Sequence, residues 1–237
     1  MAGLLLLFLY LAAGLFIIRC LLPRQSSWAR AWLGLSFGLF LMMWLPALIA
    51  FLRPFDALTQ WLSLLPLALL AFLAWRFKDK SPLKQADAED RKTLTVMRAV
   101  ALPLSLLGLY LQHTHILRPE GGALFTGQAT YGDLPLHLSI VTSLEGKTLP
   151  ADYSILPGLR LGYPFLADSL STSLLALGMG LRFAVLLPGA LMMALVFSGY
   201  ILLARRLCKT PGAALLAALF VFVNGGLGFL YAFDMAG

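Results

Sequence analysis

Long apolar runs broken by short polar stretches constrain this chain more than any motif in it. Six of them, roughly residues 3–22, 31–51, 61–75, 94–111, 183–203 and 213–233, approach or reach the roughly 18 to 20 residues that an α-helix needs to cross a bilayer. Leu58 and Phe77 extend the short third run. Of the 237 residues, 60% are hydrophobic and only 12% charged, against about 25% charged in a soluble domain. The expected fold is therefore all-α: a polytopic membrane helical bundle of about six transmembrane helices, with juxtamembrane helices in one large external loop.

Charge placement sets the expected topology. The net charge is +7, but the Lys and Arg residues fall between the apolar runs, where they act as a topology signal and attract anionic headgroups. No basic face or basic-aromatic module is present, so nucleic acid is not an expected partner and membrane lipid is. Arg19, Arg24 and Arg30 follow the first run instead of preceding it, which predicts an uncleaved anchor with its N-terminus outside. Residues 76–92, with Arg98 beyond them, form the most charged stretch and read as a cytoplasmic loop. Pro103 predicts a kink in the fourth run. Cys20 and Cys208 both lie beside arginines at run ends, which predicts reduced cytoplasmic thiols.

Residues 164–180 are apolar enough to suggest a span, yet they contain Asp168, Ser169, Ser171, Thr172 and Ser173. If they crossed, Arg205, Arg206 and Lys209 would face outward. Lying along or dipping into the outer interface, they leave thirteen Lys and Arg inside, four outside and Arg182 at a boundary, the distribution that the positive-inside tendency favours. The division that follows is an N-terminal three-helix membrane region with its basic loop, 1–92, and a second membrane module, 93–237, whose external loop runs over 112–182.

That loop holds the candidate chemistry. Its glycines and prolines (Gly121-Gly122, Pro150, Pro157-Gly158) mark turns, and its apolar residues (Phe125, Tyr131, Ile155, Tyr163) argue against disorder. The stretch GDLPLHLSIVTSLEG, 132–146, reads as a short interfacial helix over 133–144. Asp133 serves as its N-cap, Pro135 lies in the first turn and Gly146 is the stop. Helical spacing puts Leu134, Leu138 and Val141 on one side and Asp133, His137 and Ile140 on another, so Asp133 and His137 can touch. An acid beside an imidazole serves as a general base or holds a phosphate or metal; an acid at a helix start is also an ordinary cap. His113 and His115 form a second pair, able to contact a substrate headgroup or, in an extended segment, to ligate a metal with Glu120. No cofactor is certain from these patterns, and a divalent metal is possible. In the sixth run, Asn224-Gly225-Gly226 reads as a helix-packing notch.

The run from Gly132 through the Tyr163-Pro164 element to Gly178, followed by LRFAVLLPGALMMALVFSGYILLARRL (181–207) and PGAALLAALF (211–220), resembles the GT-C superfamily of membrane glycosyltransferases. The likeness is to the bacterial branch related to protein O-mannosyltransferases and aminoarabinose transferases, and it covers about residues 93–230. It implies a glycosyltransferase that uses a polyprenyl-phosphate sugar donor at the outer face of a bacterial inner membrane. Asp133 matches the acid of the first external loop and would be the catalytic group. His137, Arg160, Tyr163 and Asp168 would lie near substrate, with Arg160 as the phosphate partner. The sequence departs from the pattern at Leu134, where many relatives carry a second acid, and at Pro164, where many carry paired prolines. The resemblance also implies further spans beyond residue 237, so the chain reads as the N-terminal part of a larger enzyme. Two other classes fit the composition: a transporter or flippase of a lipid-linked substrate, and a non-catalytic membrane scaffold.

Overall fold

The apolar runs fold as helices because a backbone in hydrocarbon must satisfy its own N–H and C=O groups. A computed structural model describes residues 1–127, 132–156, 158–208 and 210–223. The elements in order are α1 (Ala2–Leu21), α2 (Ser27–Ile49), α3 (Ala57–Leu62), α4 (Leu64–Arg76), α5 (Ala88–Val96), a π-turn (Met97–Ala101) and α6 (Leu102–His115). There follow the strands β1 (Arg118–Glu120) and β2 (Ala123–Phe125), then α7 (Asp133–Leu144), α8 (Leu166–Ala176), α9 (Leu181–Leu207) and α10 (Pro211–Phe222). Among the described residues, five helical stretches are long and apolar enough to cross a membrane: Ala2–Leu21, Ser27–Ile49, Ala57–Arg76, Ala88–His115 and Leu181–Leu207. The chain is an all-α polytopic membrane bundle. Only the first part of the expected sixth span is described, as α10. Its remainder, with Asn224-Gly225-Gly226, lies outside the described residues, as do Tyr131, Pro157 and Lys209.

The first two spans pack at backbone contact. A Cβ on Gly14 would stand 2.2 Å from the Gly34 carbonyl oxygen, and one on Gly38 would stand 2.5 Å from the Tyr10 carbonyl oxygen. Small residues spaced four apart, Gly34 and Gly38, let the helices approach this closely, the usual device where lipid supplies no hydrophobic drive between helices. Around this crossing, Leu6, Leu7, Tyr10, Ile17, Leu39 and Met42 form one core with Leu67 of α4, Leu170 and Leu174 of α8, and Ala184 of α9. A second core joins Val96, Val100 and Ala101 to Ile201 and Ala218. Leu4, Phe8, Leu69, Phe72, Phe183 and Phe220 are exposed, as lipid-facing side chains are.

Just before Pro103, where a kink is expected, the helix carries the π-turn over Met97–Ala101. Pro103 has no N–H to give to the carbonyl four residues back, and the Leu102 N–H bonds to the Met97 carbonyl five residues back.

The polar segments gather at two ends. At the basic end, the Asp79 N–H donates to the Cys20 carbonyl at 3.0 Å, the Lys84 N–H to Pro23 at 2.9 Å, and Arg205 of α9 to Glu89 of α5 at 2.6 Å. At the opposite end, the turn after α2 docks on the segment after α7: Phe55 N–H to the Lys147 carbonyl at 2.8 Å and Leu149 N–H to Ala50 at 2.7 Å. Segregation of 19–30, 76–92 and 205–206 from the long loop is the pattern the charge distribution predicts. Within that loop, β1 and β2 form a hairpin closed by Gly121 and Gly122, both at positive φ (57° and 83°), as a two-residue type I′ turn demands.

Candidate functional site

α7 occupies residues 133–144, as the helical spacing predicts, and Gly146 follows its C-cap at φ 73°. Two details differ from the sequence reading. Gly132 is the N-cap and Asp133 the first helical residue; its exposed carboxylate makes no cap bond and sits where the helix dipole favours negative charge. The buried face is also different: Ile140, Val141 and Leu144 are inside, with Leu136 packed beside them against Ala47, Ala50, Phe55 and Leu149. The side carrying His137 and Ile140 therefore turns into the protein. His137 consequently bonds across to α8, and the expected contact between Asp133 and His137 is not made.

α8 has 11 residues, about 16 Å of helix against a hydrocarbon core of about 30 Å. It does not cross. It is nonetheless buried along most of its length, from Asp168 to Leu174. A polar helix tolerates this where its hydroxyls are satisfied nearby, as three of them are here. Ser169 donates to the Leu166 carbonyl at 2.7 Å, Ser173 to Ser169 at 2.9 Å and Thr172 to Asp168 at 3.1 Å. Two of them also reach other helices: Thr172 to the Val141 carbonyl of α7 at 3.0 Å, and Ser169 to the Met43 carbonyl of α2 at 3.3 Å. The helix ends in a Schellman arrangement, with Gly178 N–H to Leu175 and Met179 N–H to Leu174. α8 is thus capped at its C-terminal end and held on both flanks.

This fixes Asp168, whose side chain is 10% exposed, against His137 of α7, 38% exposed. His137 Nδ1 lies 3.0 and 3.1 Å from the two carboxylate oxygens. An Nδ1–H donating to Asp168 leaves Nε2 with its lone pair free, the tautomer a general base requires. Burial pushes the Asp168 carboxyl above its ordinary pKa, and the bond and charge of His137 pull it back only in part. Tyr163 stacks edge-on against the His137 ring at 5.7 Å between centroids. His137, Asp168 and Tyr163 are one cluster, with Asp133 a helical turn away on α7.

The other candidates sit outside this cluster. Arg160 is exposed in a loop whose backbone bridges back to Asp152, and its side chain has no partner among the described residues. His113 and His115 lie in helical α6, not an extended segment, so their side chains diverge by about 200° around the axis. Arg182 donates through Nη2 to the His113 carbonyl at 3.0 Å and approaches its Nδ1 at 3.1 Å, whereas His115 bonds back to Leu111 at 3.1 Å. They do not converge on a shared ligand position. Among the described residues, no group of three His, Cys, Asp or Glu side chains gathers as a metal site would need.

Sequence reasoning did not find the Arg182–His113 pair or the roles of Ser169 and Thr172. The signal was present in the polar run 168–173, which it read only as evidence against crossing. The chain matches no protein-family model, no curated protein and no solved structure.

Proposed function

We propose that the protein is a glycosyltransferase that moves a sugar from a polyprenyl-phosphate donor to an acceptor hydroxyl at the outer face of a bacterial inner membrane, with its N-terminus and long loop on that face. The observation that carries the reading is the contact of two non-spanning helices, α7 and α8, which brings a partly exposed imidazole onto a buried carboxylate at the end of the bundle away from the basic loops. Beside that pair lies a phenol (Tyr163), with an exposed acid (Asp133) one helical turn away on α7 and an exposed guanidinium (Arg160) in the loop before α8. In the reaction, the acceptor oxygen forms a bond to the anomeric carbon, the bond from that carbon to the phosphate oxygen breaks, and polyprenyl phosphate leaves. Asp133 takes the acceptor proton, and His137, oriented by Asp168, accepts a hydrogen bond from the reacting hydroxyl at Nε2. Arg160 suits phosphate oxygens through its paired N–H donors.

A transporter would carry ionisable groups in the middle of its spans. Among the described residues the buried acids are Asp90 and Asp168, one near the start of α5 and the other in the first turn of α8.

The test is conversion of a panel of polyprenyl-phosphate hexoses to polyprenyl phosphate by membrane vesicles holding the protein. Asp133→Asn is expected to abolish conversion with expression unchanged. Full activity in that variant overturns the role of Asp133. Absence of conversion of any donor by the wild-type protein, with the donors consumed normally by a control transferase, overturns the reading as a whole.

A further inference from the structure

At the basic end, far along the chain from the cluster just described, a cavity of about 890 Å³ opens between α2, α5 and α9. Its rim carries Arg24, Lys84, Arg205 and Arg206, with Asp87, Glu89 and Asp90. Its walls run inward along two spans. On α9 the lining steps from Arg206 through Leu203 and Tyr200 to Val196, about 15 Å along the axis. On α2 it steps from Ser26 to Trp32 and Leu33, about 10 Å in the same direction. The chemistry changes from charged, with four cations to three carboxylates, to apolar along the depth of the membrane.

Most of the rim charge is already matched. Lys84 pairs with Asp87 at 3.0 Å, and Arg24 lies 3.9 Å from Asp79 and bonds the Ser81 hydroxyl at 2.7 and 2.8 Å. Arg205 is charge-paired too, but one of its donors is left over. Its side chain is 6% exposed; Nη2 donates to Glu89 at 2.6 Å and Nε reaches Thr93 at 3.5 Å, yet Nη1 is buried with no partner. An unpartnered buried guanidinium donor is costly, and an anion at this position would supply its acceptor. Arg206, exposed at the same helix end, has no partner among the described residues.

We infer that this cavity binds an anionic phospholipid, its phosphate at Arg205 and Arg206 and one acyl chain along Trp32, Leu33, Val196 and Leu203. A soluble phosphate compound would use the rim but leave the apolar walls empty; an amphiphile fits both. Basic pockets between spanning helices are suited to such headgroups.

Trp32 reports occupancy because its ring lines the cavity, with Nε1 donating to the Leu195 carbonyl at 2.7 Å. The full chain is reconstituted in phosphatidylcholine vesicles containing a small, equal fraction of either brominated phosphatidylglycerol or brominated phosphatidylcholine, and tryptophan quenching is compared. The expected result is preferential quenching by the anionic lipid, lost in Trp32→Phe. In Arg206→Gln the preference falls about fivefold, the equivalent of about 1 kcal/mol per cation at an anionic surface. Arg91→Gln removes an exposed cation that does not line the cavity, and it leaves the preference unchanged. Equal quenching by the two lipids, retention of the preference in Trp32→Phe, or an equal loss in Arg91→Gln overturns the inference. So does full displacement by millimolar inorganic phosphate, which would make the cavity a site for free phosphate.

Discussion

Replacing Asp168 by Asn separates a positioning role from a structural one. The substitution keeps the shape of the side chain and an acceptor oxygen for His137 Nδ1, and it removes the charge. The carboxylate is 10% exposed and sits 3.0 Å from an imidazole that is itself 38% exposed. A fully enclosed ion pair loses about 3–5 kcal/mol when one partner goes. Here water reaches His137, and burial outweighs the His137 bond in setting the Asp168 pKa, which is raised. The ionised carboxylate is therefore a net cost to the fold. Asp168→Asn should change the free energy of unfolding by no more than about 1 kcal/mol at neutral pH, in either direction. The sign of the pH dependence follows from the same shift. A carboxyl whose folded pKa is raised contributes stability that is fully present below the unfolded pKa and is lost as pH rises through the folded one. The advantage of wild type over Asp168→Asn should fall as pH climbs from the ordinary aspartate range toward that raised value, and be flat above it. The proposed transfer should slow by about 10²-fold or more, because the amide can present its NH2 as well as its oxygen to Nδ1 and so no longer selects the tautomer with Nε2 free. Unfolding in denaturant followed by tryptophan fluorescence gives the first quantity, and donor turnover gives the second. A loss of more than about 3 kcal/mol, or a stability gap that widens with pH, would refute this account of the pair.

Three other substitutions test the surrounding construction. Asp133→Asn removes an exposed carboxylate with no partner among the described residues, so its stability should stay within about 0.5 kcal/mol of wild type while turnover is lost; unfolding and turnover measured on one preparation check both. Leu170→Ala empties a fully buried position between α8 and the first two spans and should cost about 2–5 kcal/mol in the same unfolding assay. Gly38→Leu forces a side chain into the 2.5 Å gap to the Tyr10 carbonyl and should cost at least the about 1–3 kcal/mol of ordinary overpacking; the readout is the yield of folded, monodisperse protein.

The spans were legible because a bilayer imposes one period and one length on any helix that crosses it, so 3–22 and 183–203 stand out from composition alone. α7 was legible for a different reason: Pro135 and Gly146 bracket a stretch with helical spacing. What sequence could not supply was the direction in which α7 faces. Leu134 and Leu138 are as apolar as Leu136 and Leu144, so the pattern leaves the choice of face open, and packing against Ala47, Phe55 and Leu149 decides it. That choice moves the partner of His137 from Asp133, four residues away, to Asp168, 31 residues away. The α1–α2 crossing was invisible for a related reason. Gly14, Gly34 and Gly38 signal close approach only once the partner helix is known.

The N-terminal spans contribute no candidate group, yet they hold the candidate site from behind. α8 is the link. Leu170 and Leu174 pack in the core with Leu6, Tyr10 and Met42, and Ser169 reaches the Met43 carbonyl of α2. On its other flank, Asp168 and Thr172 hold α7. From Leu174 to Asp168 is only about 9 Å along the helix, so a displacement of the α1–α2 pair is carried to the carboxylate with little chance to relax. A polar helix too short to cross the membrane cannot fix its own position by hydrophobic length. It takes that position from the spans that bury it. Residues 1–92 are in this sense part of the site, although none of its candidate groups comes from them.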